Sequence, residues 1–336
     1  MAAILYIGNH LNSNNNNLTY SHTLGQLFEQ EGYVLFYASS KKNKVLRLLD
    51  MLGACVKYRT KTSYVLIDTY STLNFYYALM VSQLCRVLRL KYMTILHGGQ
   101  LPKRLKENPV MSKLIFNKAT HNIAPSQYLM ETFKGFGFHN MVHIPNAISI
   151  RDYPFNLRKD PTIKLLWVRS FSKMYNPHLA VKVLKAMKDK GMKASLCMVG
   201  PDGDGSLKEV KTLADNLDVA VTFTGKLTKQ EWMSLSNAYT IFINTSNLDN
   251  MPLSVIEAMA LGLPVISTDV GGMPYLIAHG KDGLLVEPND VAAFVNAITW
   301  LTDNKDAYRD IAKNARKKVE AYDWEQVKAQ WLQLLK

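Results

Sequence analysis

Cysteine is scarce in this sequence, and the three present, Cys55, Cys85 and Cys197, are far apart along the chain, odd in number and without metal-ligand spacing. That excludes a disulfide scaffold and a zinc module and fits a reducing cytoplasm. All three read as buried small apolar residues. Long apolar runs are missing too. No window approaches ~20 uninterrupted apolar residues, and the most apolar helical candidate, Asn74 to Leu90, carries Arg86 and Arg89. The opening MAAILYIGNH lacks the basic region and cleavage site of an export signal. A cytoplasmic protein is expected, with a peripheral place on the inner face of the cell membrane as a further option. Low complexity is confined to Asn12–Asn17, read as a polar loop after the first strand.

Acidic residues are in short supply in one half only. Of the formal net charge of +13, residues 1–155 contribute 17 Lys/Arg against 7 Asp/Glu, and residues 156–336 contribute 23 against 20. The first half is the basic one, with runs at Lys41–Lys61 and Arg86–Lys118. An anionic partner is implied: a membrane surface, a phosphorylated acceptor or nucleic acid. An ordinary solvated basic face is the alternative. In the second run basic residues alternate with Leu88, Leu101, Leu105, Leu114 and Phe116, which suggests a docking surface carrying Lys103, Arg104 and Lys106.

At 336 residues, 48% of them hydrophobic, the chain is long enough for two domains with a core each. Short apolar runs alternate with helical-period segments, the pattern of parallel sheets wrapped by helices. Strands are predicted at Ala3–Gly8, Tyr33–Ala38, Tyr64–Thr69, Tyr92–Leu96, Asn122–Ala124 and Val142–Pro145. A helix over Ser21–Gln30 starts on an N-cap residue type and stops at Gly32. After a pause at Ala147–Pro161, read as a linker and hinge, strands resume at Ile163–Val168, Ser195–Val199, Val221–Thr224, Thr240–Asn244, Pro264–Ser267 and Gly283–Val286. The expected fold is α/β: two Rossmann-like, doubly wound domains facing across a cleft. The domains are expected at 1–150 and 151–322, with a helix at 323–336 returning to the first. In such sheets ligands bind beyond the carboxyl ends of the strands.

The most informative stretch is Asn244–Gly272, NTSNLDNMPLSVIEAMALGLPVISTDVGG. A strand ends, a polar loop follows, and a helix begins near Pro252–Ser254 and closes at Gly262, punctuated as helices usually are. Its N-terminal amides suit a phosphate, a contribution of about 0.3–2 kcal/mol. Glu257, read as first-turn, is placed to accept both hydroxyls of a nucleotide ribose, and Asp249 precedes it in the loop. A glycine turn ends MVGPDGDG, where Gly200 lets backbone approach a ligand. Asp202-Gly203-Asp204 spells a metal-binding DxD but reads as a loop.

Asp249, seven residues, Glu257 and then AMALGLPVISTDVGG resemble the donor motif of the retaining GT-B glycosyltransferases of family four. SFSKMYNP, MVGPDGDG, VTFTGKLT, IAPSQYL and HIPNAI fall at family-like positions, so the resemblance spans nearly the whole chain. DNMPLSVIEAMA looks most like bacterial members that assemble surface polysaccharide and lipopolysaccharide. Two departures stand out. Asp249 occupies a position that is usually Glu, a side chain longer by ~1.5 Å. In WVRSFSKMYNP, Val168 replaces a glycine and Lys173 comes one position early.

The resemblance implies transfer of a sugar, with retained anomeric configuration, from a nucleoside-diphosphate sugar to a hydroxyl of a glycan or lipid-linked acceptor. A UDP-sugar is favoured over a GDP-sugar, and neither cofactor nor metal is expected. Glu257 would hold the ribose and Asp249 the donor-sugar hydroxyls. The stretch Asn250, Met251, Pro252, Leu253 and Ser254 would hold sugar or diphosphate through its amides, although Pro252 has none to give. Arg169 and Lys173 would neutralise the leaving diphosphate. His97, ending a buried-looking strand before Gly98 and Gly99, would contact the sugar near its anomeric carbon. Gly8, Asn9 and His10 would line the acceptor side. The first domain offers no evident general base, in line with front-face attack in which the leaving phosphate takes the acceptor proton.

Rival readings share the architecture or the charge: a nucleotide-sugar epimerase, a glycan phosphorylase, or a non-catalytic nucleic-acid binder. No cofactor-lysine segment of a phosphorylase is evident. The last reading would leave the donor motif unexplained, so nucleic acid is not an expected partner.

Overall fold

The computed structural model describes residues 3–10, 20–158 and 163–336; the Asn12–Asn17 loop and Pro161 lie outside them. The chain divides into two compact units, Met1–Ala147 with Trp324–Lys336, and Ile148–Asp323.

The first unit runs β1 (Ala3–Ile7), α1 (Tyr20–Gln30), β2 (Val34–Ala38), α2 (Lys44–Lys57), β3 (Tyr64–Thr69), α3 (Asn74–Val87), β4 (Tyr92–Leu96), α4 (Leu101–Glu107), α5 (Pro109–Phe116), β5 (His121–Ala124), α6 (Gln127–Gly135) and β6 (Met141–His143). All its strands are parallel, in the order β2-β1-β3-β4-β5-β6. Helices cover the central strands, so β3 and β4 are buried along their whole length and read as near-continuous apolar runs.

In the second unit follow β7 (Ile163–Val168), α7 (Pro177–Asp189), β8 (Ala194–Val199), α8 (Ser206–Asn216), β9 (Thr222–Gly225), α9 (Lys229–Ser236), β10 (Ile241–Asn244), α10 (Leu253–Ala260), β11 (Val265–Thr268), α11 (Met273–Leu276), β12 (Leu284–Val286), α12 (Val291–Asp303) and α13 (Lys305–Glu320). Its parallel sheet, β12-β11-β10-β7-β8-β9, has the strand order of dinucleotide-binding Rossmann folds, with the reversal between β7 and β10. Residues just before β7 are tied into this unit by the buried Arg158, whose guanidinium donates to Asn156 O, Leu261 O and Ser236 O at 2.5, 2.6 and 2.9 Å.

The last helix, α14 (Trp324–Leu334), belongs to the first unit. Phe28 of α1 meets Trp324 and Trp331 edge-on, with centroids at 5.7 and 5.4 Å. Glu31 accepts from Trp324 Nε1 and Lys328 Nζ, both at 3.1 Å.

Several expectations are corrected. Ser21 does not cap α1; Tyr20 before it is already helical, and Ser21 is buried. The interleaved apolar residues of the second basic run are largely core: Leu101, Leu105 and Phe116 are buried, because α4 and α5 turn those positions onto the sheet side. Arg104 is a packing residue, donating to Ser71 O at 2.6 Å and Asn108 Oδ1 at 2.9 Å and lying 5.3 Å from the Phe75 and Tyr76 rings. The three cysteines are free and buried, as expected.

Candidate active site

In the second unit β7 and β10 part at the switch point, and each delivers one charged residue to it. Arg169 follows β7, and Asp249 stands in the loop after β10. The two form an ion pair between largely buried side chains. Asp249 also accepts from Ser246 Oγ at 3.1 Å and from Asn250 N at 3.1 Å. The Arg169 guanidinium lies 4.1 Å from the Tyr175 ring centroid, and its Nε is buried without a partner. Burial opposes the Arg169 charge, but Asp249 and Tyr175 outweigh it and hold the guanidinium above its ordinary pKa.

Behind this pair is a buried polar network. The single Ser246 hydroxyl hydrogen is shared between Asp249 and Asn244 Oδ1, the latter at 2.8 Å; Asn244 Nδ2 donates to Ser267 Oγ at 3.1 Å, and Thr268 Oγ1 to Ser246 O at 2.6 Å. A satisfied network of this kind fixes the loop in one geometry. Gly200, at φ +149°, lets the end of β8 lie against the end of β7: a Cβ there would stand 1.8 Å from Arg169 O. Its demonstrable task is thus to seat the Arg169 backbone. Gly272 N donates to Asp249 O at 3.0 Å, so the Gly-Gly turn holds the Asp249 loop from the other side.

Helix α10 begins after Pro252 with no side-chain cap. The amides of Val255 and Ile256 fold back to Pro252 O at 3.2 Å, which leaves those of Leu253 and Ser254 as the orphan donors of the helix start. Ser254 Oγ is buried without a partner. Asn250 and Met251 are buried, Met251 in the apolar core. Glu257 sits in the second turn of α10, not the first, because the helix starts only at Leu253. Its Oε1 accepts from Tyr153 Oη at 2.5 Å. Burial pushes its carboxyl pKa up, with the Tyr153 bond and the Lys229 charge pulling the other way. Lys229 lies 4.4 Å from the Tyr153 ring centroid.

Lys173 is exposed and reaches the site only through its backbone, its N donating to Asp204 Oδ2 at 3.0 Å and its O accepting from Asn247 Nδ2 at 3.0 Å. Asp202 and Asp204 are occupied in the turn: Asp202 Oδ1 accepts from Gly205 N at 2.9 Å, and Asp204 Oδ1 from Ser206 N at 3.2 Å.

The first unit gathers a second group of residues at its own switch point, between β1 and β3. His97, buried at the end of β4, has Nε2 2.8 Å from Asp68 Oδ1 at the end of β3. A carboxylate only accepts, so Nε2 is the donor in this contact. Tyr6 Oη donates to the same Asp68 oxygen at 3.2 Å, while Asp68 Oδ2 is buried without a partner. A Cβ on Gly8 would stand 2.5 Å from that orphan oxygen. Tyr70 stacks on His97 at 4.6 Å and Tyr20 meets it edge-on at 5.9 Å. Sequence reasoning found no evident general base in this unit; the structure places the Asp68 carboxylate against the His97 imidazole. The available signal was Asp68 itself, an acid at the carboxyl end of an apolar strand. Tyr153 had no comparable signal.

Asn9 lines a small cavity with Gly8 and Asp68. Asn9 accepts from Arg47 Nη1 at 3.2 Å. His10 stacks between His22 at 3.8 Å and Tyr37 at 4.2 Å, with Nδ1 buried and unpartnered. Gly98 is exposed with φ +78°, and Gly99 is buried.

The family model described as glycosyl transferases group 1 matches residues 150–318, half of the chain. The chain belongs to this family. The matched stretch carries both Arg169 and Asp249 as well as α10. Among curated relatives, a sulfoquinovosyl transferase of Arabidopsis thaliana is 34% identical over 43% of this chain and 28% of its own length. A UDP-Gal:alpha-D-GlcNAc-diphosphoundecaprenol alpha-1,3-galactosyltransferase of Escherichia coli is 31% identical over 35% of this chain and 30% of its own. The matched segments thus span about a third of these relatives. An Anabaena protein solved in complex with UDP-glucose superposes with a TM-score of 0.81 at 18% identity, over 100% of this chain and 99% of that one. At that identity the likeness speaks for the group 1 fold, two Rossmann-like parallel sheets, and the epimerase and nucleic-acid readings find no favour.

Proposed function

We propose that this chain transfers a sugar from a nucleoside-diphosphate sugar, a UDP-sugar by preference, to a hydroxyl of a glycan or lipid-linked acceptor, with retention at the anomeric carbon. The setting is assembly of bacterial surface polysaccharide at the inner face of the cell membrane. The observation that carries the reading is the Arg169–Asp249 pair at the β7/β10 switch point, beside the uncapped start of α10. A fixed cation and two free amides are what a departing diphosphate needs, since charge builds on it as the glycosidic bond breaks. Glu257 holds the ribose through the oxygen that Tyr153 leaves available. Support also comes from the UDP donor and diphosphoundecaprenol acceptor in the name of the Escherichia coli relative and from the UDP-glucose in the Anabaena complex.

Calorimetric titration with UDP, GDP and ADP tests the donor class. Binding of UDP, lost on Arg169→Ala and Glu257→Gln, is expected; no binding of any nucleoside diphosphate refutes the reading. One observation favours a second stereochemistry. The Asp68–His97 pair presents an imidazole nitrogen able to take a proton, as an inverting reaction requires. The anomeric coupling constant of the product, read by proton NMR before mutarotation, decides between retention and inversion.

A further inference from the structure

The first unit exposes apolar side chains where a soluble monomer would bury or replace them. On α2, Val45, Leu46 and Leu49 are 66%, 55% and 58% exposed, and Val56 continues the same stripe. Their spacing puts them on one helical face, opposite the buried Met51, Ala54 and Cys55. Helix α3 packs between α2 and α5, and all three share one core cluster, so their outer faces point away from the same sheet. There α3 exposes Tyr76, Met80 and Val87, and α5 exposes Val110 and Leu114. Three adjacent helices thus each present apolar side chains on an outer face, a feature that marks an interaction site.

The charge around this surface has one sign. Lys41 and Lys42 precede α2, Lys44 and Lys57 are its first and last residues, and Arg59 and Lys61 follow it, all exposed, while the one acid between Lys41 and Lys61, Asp50, is half-buried. A helix with an outward apolar stripe and basic residues at both ends suits the interface of an anionic bilayer, where the stripe enters the acyl boundary and the ammonium groups stay among the headgroups. A second copy of this chain would bring like charge to the patch, and nucleic acid would have no use for Val45, Leu46 and Leu49.

We infer that the outer face of α2, with its neighbours on α3 and α5, is the surface by which this protein docks on an anionic membrane. The inference rests on the membrane-side reading above and moves its contact from Lys103, Arg104 and Lys106 to α2.

The test is co-sedimentation of the full chain with phosphatidylglycerol-containing and pure phosphatidylcholine vesicles across a salt series. Three variants accompany the wild type: Leu46→Glu with Leu49→Glu; Lys41→Glu with Lys42→Glu and Lys44→Glu; and, as a control of equal charge, Lys182→Glu with Lys188→Glu and Lys190→Glu in the second unit. The expected result is binding to anionic vesicles only, weakening as salt shortens the screening length. Each α2 variant should lose at least about tenfold in partition, and the control should keep wild-type binding. Binding that ignores lipid charge, a control that loses as much as the α2 variants, or α2 variants that bind like wild type would overturn the inference. So would self-association in sedimentation velocity that Leu46→Glu with Leu49→Glu abolishes. UDP titration of the same proteins separates the two readings: α2 variants should bind nucleotide like wild type, and a wild type that docks without binding nucleotide refutes the donor site alone.

Discussion

The two switch points solve the same problem by different means. In the second unit the charged residues come from one contiguous motif and one strand end, and they are braced by backbone: Gly200 against Arg169 O, Gly272 against Asp249 O. In the first unit the pair is Asp68 with His97, from the ends of two strands, braced by side chains, Tyr6 on Asp68 and Tyr70 on His97. A site braced by backbone cannot yield to a change without losing its shape; one braced by side chains can readjust. Local rigidity is what a preorganised cradle for a leaving anion requires.

The largest expected effect sharpens that contrast. Gly200→Ala forces a Cβ against a carbonyl that cannot move, at a backbone angle alanine disfavours, and should cost about 3 kcal/mol of stability together with nucleotide binding. Gly8→Ala meets only the Asp68 carboxylate, which can swing aside, so about 1 kcal/mol is expected. Denaturant titrations of both variants check this, and equal losses would break the comparison.

Next comes the ion pair. Arg169→Ala leaves Asp249 buried without its cation and should cost about 3 kcal/mol. Adding Asp249→Ala should restore much of that stability without restoring UDP affinity. A double variant as unstable as the single one would mean that Asp249 acts independently of Arg169.

In the first unit the effect should fall on turnover instead. Asp68→Asn keeps the packing of His97 but removes the charge behind it, so kcat should drop about 10- to 100-fold with KM little changed. A change in KM alone would make His97 a binding group.

The smallest effects are in pH dependence, where the units should move in opposite directions. Burial raises the Glu257 pKa above its ordinary 4.5, so the carboxyl holds its proton more tightly folded than unfolded. Its contribution is full below that value and is lost as pH rises through the folded one. Glu257→Gln should therefore stabilise the protein at neutral pH while weakening UDP binding. Burial lowers His10 and His22 below 6.5, with His22 adding to the effect on His10. These rings fold neutral, so their contribution is present above 6.5 and is lost as pH falls through the folded values. Denaturation midpoints of the wild type, His10→Asn and Glu257→Gln across this range would reveal the opposing slopes; parallel slopes would remove the distinction.

The strands were legible because parallel strands covered by helices are mostly apolar: Tyr64–Thr69, Tyr92–Leu96 and Ile163–Val168 coincide with β3, β4 and β7. Helix starts were less so. Ser21 lies inside α1 and Glu257 beyond the first turn of α10, since a cap residue type names a neighbourhood and not a position. The exposure of α2 was not legible, because Val45, Leu46 and Leu49 are apolar whichever way the helix turns, and the same ambiguity hid the burial of Leu101, Leu105 and Phe116.

By itself the sequence determined the alternation of elements, the two parallel sheets and the contiguous stretch from Asn244 to Gly272, because each depends on residues close together along the chain. Only the tertiary structure decided which distant groups meet: Arg169 with Asp249, Asp68 with His97, Tyr153 with Glu257. Such pairs depend on strand order and on which face a helix buries, and both are settled by packing across the whole sheet rather than by local preference.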